Sequence, residues 1–146
     1  VLRGDIHEIG VGKNAITQCG TVVHEARNRF GTYIGGEVTI GHMMLIHACM
    51  LQDSSMVGMH ATVMDGAVVG EGALVAAGAL VTPGQRVKSG EIWGGSPARC
   101  IRKVSKKDIA MIMAPCPIKK GNHSISGNAR VISGVNKAIV PPPSPQ

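Results

Sequence analysis

"VGMHATVMDGAVVGEGALVAAGALVTPGQRV", residues 57–87, repeats itself every six residues. Val57, Val63, Val69, Val75, Val81 and Val87 mark the beat, and Ala61, Ala67, Ala73 and Ala79 each follow a marker by four. Neither the 3.6-residue helical period nor simple alternation gives this step, so an amphipathic helix is excluded here. A parallel β-helix of hexapeptide repeats does give it, three short strands making one triangular coil of about 18 residues. A branched side chain points inward at each repeat start, and only a small one fits at the tighter position four later. Hydrogen bonds then run from coil to coil at a spacing of about 4.8 Å.

The same beat extends toward the N-terminus. The step from Ile46 to Leu51 is one residue short, Ile46, Ile40 and Ile34 resume the six, and Val11, Thr17 and Val23 keep it, with Ala15 and Thr21 in the small positions. Gly41, Gly58, Gly66, Gly70, Gly72 and Gly78 fall near the corners, where unusual backbone angles are expected. After Ile101 the period stops. "SKKDIAMIM" (105–113) offers Ser105 as an N-cap with an acid three residues later, which predicts a short helix along the outside of the coil stack. Residues 114–146 are rich in Pro, Gly, Ser and Asn without any period, and read as an extended tail ordered only by a partner. The expected organisation is all-β: a hexapeptide-repeat β-helix over 1–104, a helix over 105–113 and a basic tail over 114–146.

Composition narrows the function. Hydrophobic residues make up 44% of the 146 but aromatics only 2%, so aliphatic side chains build the core. One Trp, one Tyr and one Phe leave little to stack on bases, and no nucleic-acid partner is expected. The apolar run "ALVAAGALV" (73–81) is about half the 18 or so residues of a membrane span. Cys19, Cys49, Cys100 and Cys116 form no CxxC pair, which suits a reducing compartment. The chain begins at Val1 with neither Met nor a targeting signal, the pattern of a processed or shortened N-terminus. Charge is unevenly placed. Through residue 98 there are six basic residues against eight acidic ones, and beyond it nine against Asp108 alone. That basic end reads either as solvated surface or as a docking segment for an acidic protein or anionic lipid.

The repeat register also sorts the histidines. His24 and His47 are both the second residue of their repeats, three steps apart, so they stack on one face in adjacent coils. This suits two ligands of one ion, zinc–nitrogen distances being about 2.0–2.1 Å. His42 is the third residue of its repeat and belongs to a neighbouring face. It could complete the pair only from another subunit, as a cyclic trimer permits. Three imidazoles with an open fourth position make a catalytic zinc site. The competing reading takes each as an ordinary surface or interface histidine, and His7, His60 and His123, which meet no such rule, are read as structural.

"VLRGD" (1–5), "VVHE" around His24, "VTIGHMMLIHAC" (38–49), "VGMHATVMDGAVV" (57–69) and "GEIWGGSPARCIRKVS" (90–105) together resemble the γ-class carbonic anhydrases. Among these the chain looks most like the mitochondrial γ-carbonic anhydrase-like subunits of respiratory complex I, over about residues 1–113. The resemblance implies a left-handed β-helix, a trimer of like or related chains, and Zn2+ held between subunits by His24, His42 and His47. It implies that Arg3 and Asp5 make an inter-subunit ion pair near the site, and that Gln18 helps position the metal-bound water. Carbon dioxide and bicarbonate would be substrate and product, and the matrix side of the mitochondrial inner membrane the location. Trp93 takes a place often held by tyrosine. Ile16 stands where active relatives commonly have asparagine, Cys19 where many have aspartate, and the loop from Glu25 to Tyr33 carries no acidic proton-shuttle tip. These departures leave ligation intact and open a second reading, an assembly subunit that holds metal as a docking platform. A third, weaker reading is a hexapeptide-repeat acyltransferase with one histidine as general base. The tail is expected to lie over neighbouring subunits of a membrane-bound respiratory assembly.

Overall fold

The structure, a computed structural model, describes residues 1–27, 31–112 and 131–133. Short strands follow one another around three faces. The first face stacks Leu2–Arg3, Val22–His24, Leu45–His47, Thr62–Val63 and Leu80–Val81 in that order. The second stacks Ile9–Val11, Thr32–Ile34, Met50–Leu51, Val68–Val69 and Arg86–Val87. The third stacks Ile16–Thr17, Thr39–Ile40, Met56–Val57, Leu74–Val75 and Glu91–Gly94. Neighbours within each of these stacks are parallel, and the fold is a left-handed parallel β-helix.

The valine beat sets the register directly. Val57 pairs with Val75, Val63 with Val81 and Val69 with Val87, each one full coil apart. Their side chains fill the centre of the triangle, all between 0% and 2% exposed. Each such side chain taken out of water contributes about 1.5–3 kcal/mol. The irregular step before Leu51 is absorbed at a corner, because Leu51 still pairs with Ile34 below and Val69 above. Thr21 occupies a small-residue slot with a hydroxyl, and satisfies it by donating to the Gly41 carbonyl at 2.8 Å and accepting from the Met44 amide at 3.3 Å.

The corner glycines prove to be of two kinds. Gly66, Gly72 and Gly78 have positive φ, 68°, 61° and 70°, as the expectation of unusual backbone angles requires. Gly41, Gly58 and Gly70 do not, and their requirement is space. A Cβ on Gly58 would lie 2.7 Å from the Ala77 amide nitrogen in the coil above, so a side chain there would hold the coils apart.

At the far end, Glu91–Gly94 pairs antiparallel with Arg99–Lys103 and closes the third face. The helix Lys106–Ile112 follows, capped as its sequence predicts: the Asp108 amide donates to the Ser105 hydroxyl at 3.3 Å and the Ser105 amide to the Asp108 carboxylate at 2.7 Å. Arg102 ties the helix back to the last strand through both carboxylate oxygens of Asp108, at 2.6 and 2.9 Å. Of the tail, Val131–Ser133 pairs in parallel with Ile9–Val11 at the outer edge of the second face, so this part lies on the chain's own first coil. Met113 and the rest of the 114–146 tail fall outside the described residues.

Candidate metal centre

The first face carries the site. Val23 pairs with Ile46, and one residue on, His24 pairs with His47. Because the preceding valine and isoleucine point into the core, the pleat turns both imidazoles outward on adjacent coils. Their rings sit 5.2 Å apart, centre to centre, tilted by 35°. His24 Nδ1 lies 3.2 Å from His47 Nε2. The other ring nitrogen of His47, Nδ1, lies 2.5 Å from Asp65 Oδ1. Both His47 and Asp65 are partly buried, with side chains 29% and 38% exposed.

The register extends the column downward. Arg3 pairs with His24, so Arg3, His24 and His47 rise up one face in three successive coils. Within the chain the Arg3 guanidinium meets Asp5, Nε to Oδ2, at 2.5 Å in a largely exposed position. An exposed pair of this kind contributes about 0–1 kcal/mol. Glu25, directly after His24, is 1% exposed, and its Oε1 accepts from the Asp5 and Ile6 amides at 3.1 and 3.0 Å. It therefore holds the Arg3–Asp5 segment against the corner that follows His24.

The remaining predicted residues lie elsewhere. His42 sits exposed at the corner between the third and first faces, its carbonyl accepting from the His60 amide at 3.1 Å. Cys19 occupies the same corner one coil below, its carbonyl accepting from Met43, and is exposed. Gln18 is half-buried at the end of the third face, its amide bonded to the Ile40 carbonyl at 3.0 Å. Trp93 is on the third face above Val75 and donates to Glu91 at 2.8 Å. Among the described residues no three His, Cys, Asp or Glu side chains gather around one point. One chain thus brings His24 and His47 together and leaves His42 apart from them. Cys49 is nearby in sequence but buried, and burial pushes its thiol up to about 12, so it stays an uncharged core residue.

The spacing of this one pair matches two ligands of a zinc ion. Two nitrogens each about 2.0–2.1 Å from one ion at a tetrahedral angle are about 3.3–3.4 Å apart, close to the 3.2 Å between the two imidazoles. Imidazole nitrogens are also donors that zinc favours.

Sequence reasoning missed Asp65 and Glu25. The hexad register places Met64, not Asp65, opposite His47, and Glu25 stood out only as the start of a loop. The available signal was that each acid lies at a corner next to a histidine of the first face or one coil above it.

No family model matches the chain. Its sequence is 44% identical over 117 residues to Gamma carbonic anhydrase 1, mitochondrial, of Arabidopsis thaliana, a match covering 77% of this chain and 42% of that protein. It is 46% identical over 112 residues to a probable carbonic anhydrase of Methanocaldococcus jannaschii, covering 77% and 70%. The chain thus spans less than half the length of the plant relative and most of the archaeal one. Among solved structures, a hexapeptide transferase family protein from Anaplasma phagocytophilum superposes with a TM-score of 0.73 at 45% identity, covering 77% of this chain and 66% of that one. The repeat, the register and these relatives agree: the chain belongs to the γ-class carbonic anhydrase family.

Proposed function

We propose that the chain is a γ-carbonic anhydrase-like subunit that holds zinc between neighbouring copies or related chains of a trimer, and hydrates carbon dioxide there. The observation that carries this reading is the His24–His47 pair in register at zinc-chelating separation. His24 and His47 of one chain and His42 of the next would be the three ligands, with a fourth position open. A second chain has a surface to cover. Val22, Met43, Leu45 and Met59 are 38–57% exposed around this face and its corner, apolar area that supports a protein contact. When bound, the metal supplies the acidity that makes water a nucleophile near neutral pH. Gln18 would orient that water by hydrogen bonding, and Arg3 with Asp5 would set the charge at the rim of the site.

Two rival readings each have an observation behind them. Ile16 and Cys19 place no carboxylate or amide beside the site, which favours an assembly subunit that keeps the metal and little turnover. On this reading as on the first, the trimer would be part of respiratory complex I on the matrix side of the mitochondrial inner membrane. The name of the plant relative supports the compartment. No helix among the described residues is long and apolar enough to cross a membrane. The exposed basic residues Arg99, Lys103, Lys106 and Lys107 would serve attachment to an acidic surface. Acyl transfer draws support from Asp65 behind His47, the arrangement of a general base. Against it, His24 covers the Nε2 that such a base must offer its substrate.

Elemental analysis and size measurement of the purified protein test the proposal. Zinc in the wild-type trimer and its loss in His47→Ala are expected, with carbon dioxide hydration measured on the same samples. A wild-type oligomer without zinc overturns the metal-site reading. Zinc without hydration leaves the assembly reading standing.

A further inference from the structure

We propose that Asp65 is a positioning residue for His47, fixing which ring nitrogen carries the proton and aiming the other at the metal. This deepens the zinc reading above and rests on it. The two nitrogens of His47 have different neighbours: Asp65 Oδ1 lies 2.5 Å from Nδ1, and His24 Nδ1 lies 3.2 Å from Nε2. These nitrogens are on opposite sides of the ring, so Asp65 does not share an ion with His47 Nε2 and His24. A carboxylate only accepts hydrogen bonds, and a neutral imidazole has one donor nitrogen and one acceptor. The proton therefore sits on Nδ1, and the Nε2 lone pair faces His24, where the ion would be held.

The backbone holds this arrangement before any metal arrives. The Ala48 amide donates to the His24 carbonyl at 3.0 Å, and the Gly66 amide donates to the Ala48 carbonyl at 2.8 Å. Each histidine and the aspartate are thus within a residue of a rung joining the three coils. Ala48 and Gly66 both adopt positive φ, 43° and 68°, so the corner turns sharply right after His47 and right after Asp65. As both side chains are partly exposed, their pairing adds little stability. Its consequence is orientation.

The test compares zinc affinity with the tautomer of His47. In competition with a chromophoric chelator, Asp65→Ala and Asp65→Asn should bind zinc about 10–100-fold more weakly than wild type, the usual effect of removing the partner of a ligand's second nitrogen. Asp65→Glu should recover part of the loss. Independently of metal, nitrogen NMR of the neutral ring should find the His47 proton on Nδ1 in wild type, and a mixture of tautomers in Asp65→Ala. A wild-type ring protonated on Nε2 overturns the proposal, whether or not the variants fold. Wild-type zinc binding matched by Asp65→Ala also overturns it while leaving the zinc site intact. A wild type that binds no zinc removes the reading beneath, and the tautomer result then decides by itself whether Asp65 orients the ring.

Discussion

The coils on either side of about residue 62 are built by different rules. From Thr62 to Gly90 the step is six throughout, and the corners with positive φ are all glycine: Gly66, Gly72, Gly78, Gly84 and Gly90. Before it the step lengthens between Val23 and Ile34 and shortens before Leu51. There, among the described residues, the positive-φ positions are Asn14, Glu37, Met43, Ala48, Ser54 and His60, with Gly20 the only glycine. A side chain in that conformation costs about 1–2 kcal/mol where glycine costs almost nothing. The candidate site lies in the irregular part, or just across its border at Asp65. A β-helix made only of ideal hexads repeats the same backbone path on every coil. Irregular steps and strained corners are what make one coil different from the next, and strain of this kind collects where function does.

Core truncation should break the comparison most strongly. Ile46 is fully buried and immediately precedes His47. Ile46→Ala should cost about 2–5 kcal/mol in chemical denaturation and weaken zinc uptake as well. Val81→Ala in the regular part should cost stability but leave zinc uptake unchanged. If both variants lose zinc equally, the two regions are not separable.

Next in size is the contrast between the two kinds of glycine. Gly58→Ala drives a Cβ into the backbone of the next coil and should destabilise by about 1–3 kcal/mol. Gly78→Ala meets nothing within 4 Å, so only its φ of 70° opposes it, at a cost of about 1–2 kcal/mol. Compensating shifts in the neighbouring coil would reverse that order and be visible as an altered melting transition.

The converse exchange sharpens the point. Glu37 is exposed with φ 57°, and Glu37→Gly should stabilise by up to about 1 kcal/mol. A loss instead would show that the Glu37 side chain does something its geometry does not reveal.

The smallest effect lies beyond both regions, in the helix Lys106–Ile112. Arg102 and Ser105 hold the Asp108 carboxyl well below the usual carboxylate range. A lowered carboxyl stabilises the fold above its ordinary pKa and loses that contribution only as pH falls through the lowered value. Amide exchange in the helix should therefore stay slow near pH 4, about where an unperturbed Asp titrates. Asp108→Ala should speed exchange in the helix alone, and faster exchange in the coils would mean that the helix supports them.

Much of this was readable before the structure. The inward valines, the small alanine slots and the stacking of His24 on His47 follow from counting sixes, because each repeat start must face the core and three steps close one turn. The isolation of His42 from that pair follows from the same count. The helix end was legible too, since Ser105 and Asp108 satisfy each other locally. The partition of the glycines was not, since a corner bend and a close approach ask for the same residue.

By itself, then, the sequence determined the period, the core and which histidines share a face. These are one-dimensional properties of a chain whose side chains must alternate between core and water. Only the tertiary structure decided that Asp65 meets His47, that Glu25 holds the Arg3–Asp5 segment, that Gly58 is kept for space, and that Val131–Ser133 lies along Ile9–Val11. Each of these depends on corner torsions or on how closely one coil sits on the next. A repeat register counts residues along the strands and carries no information about the angle at which the chain leaves them.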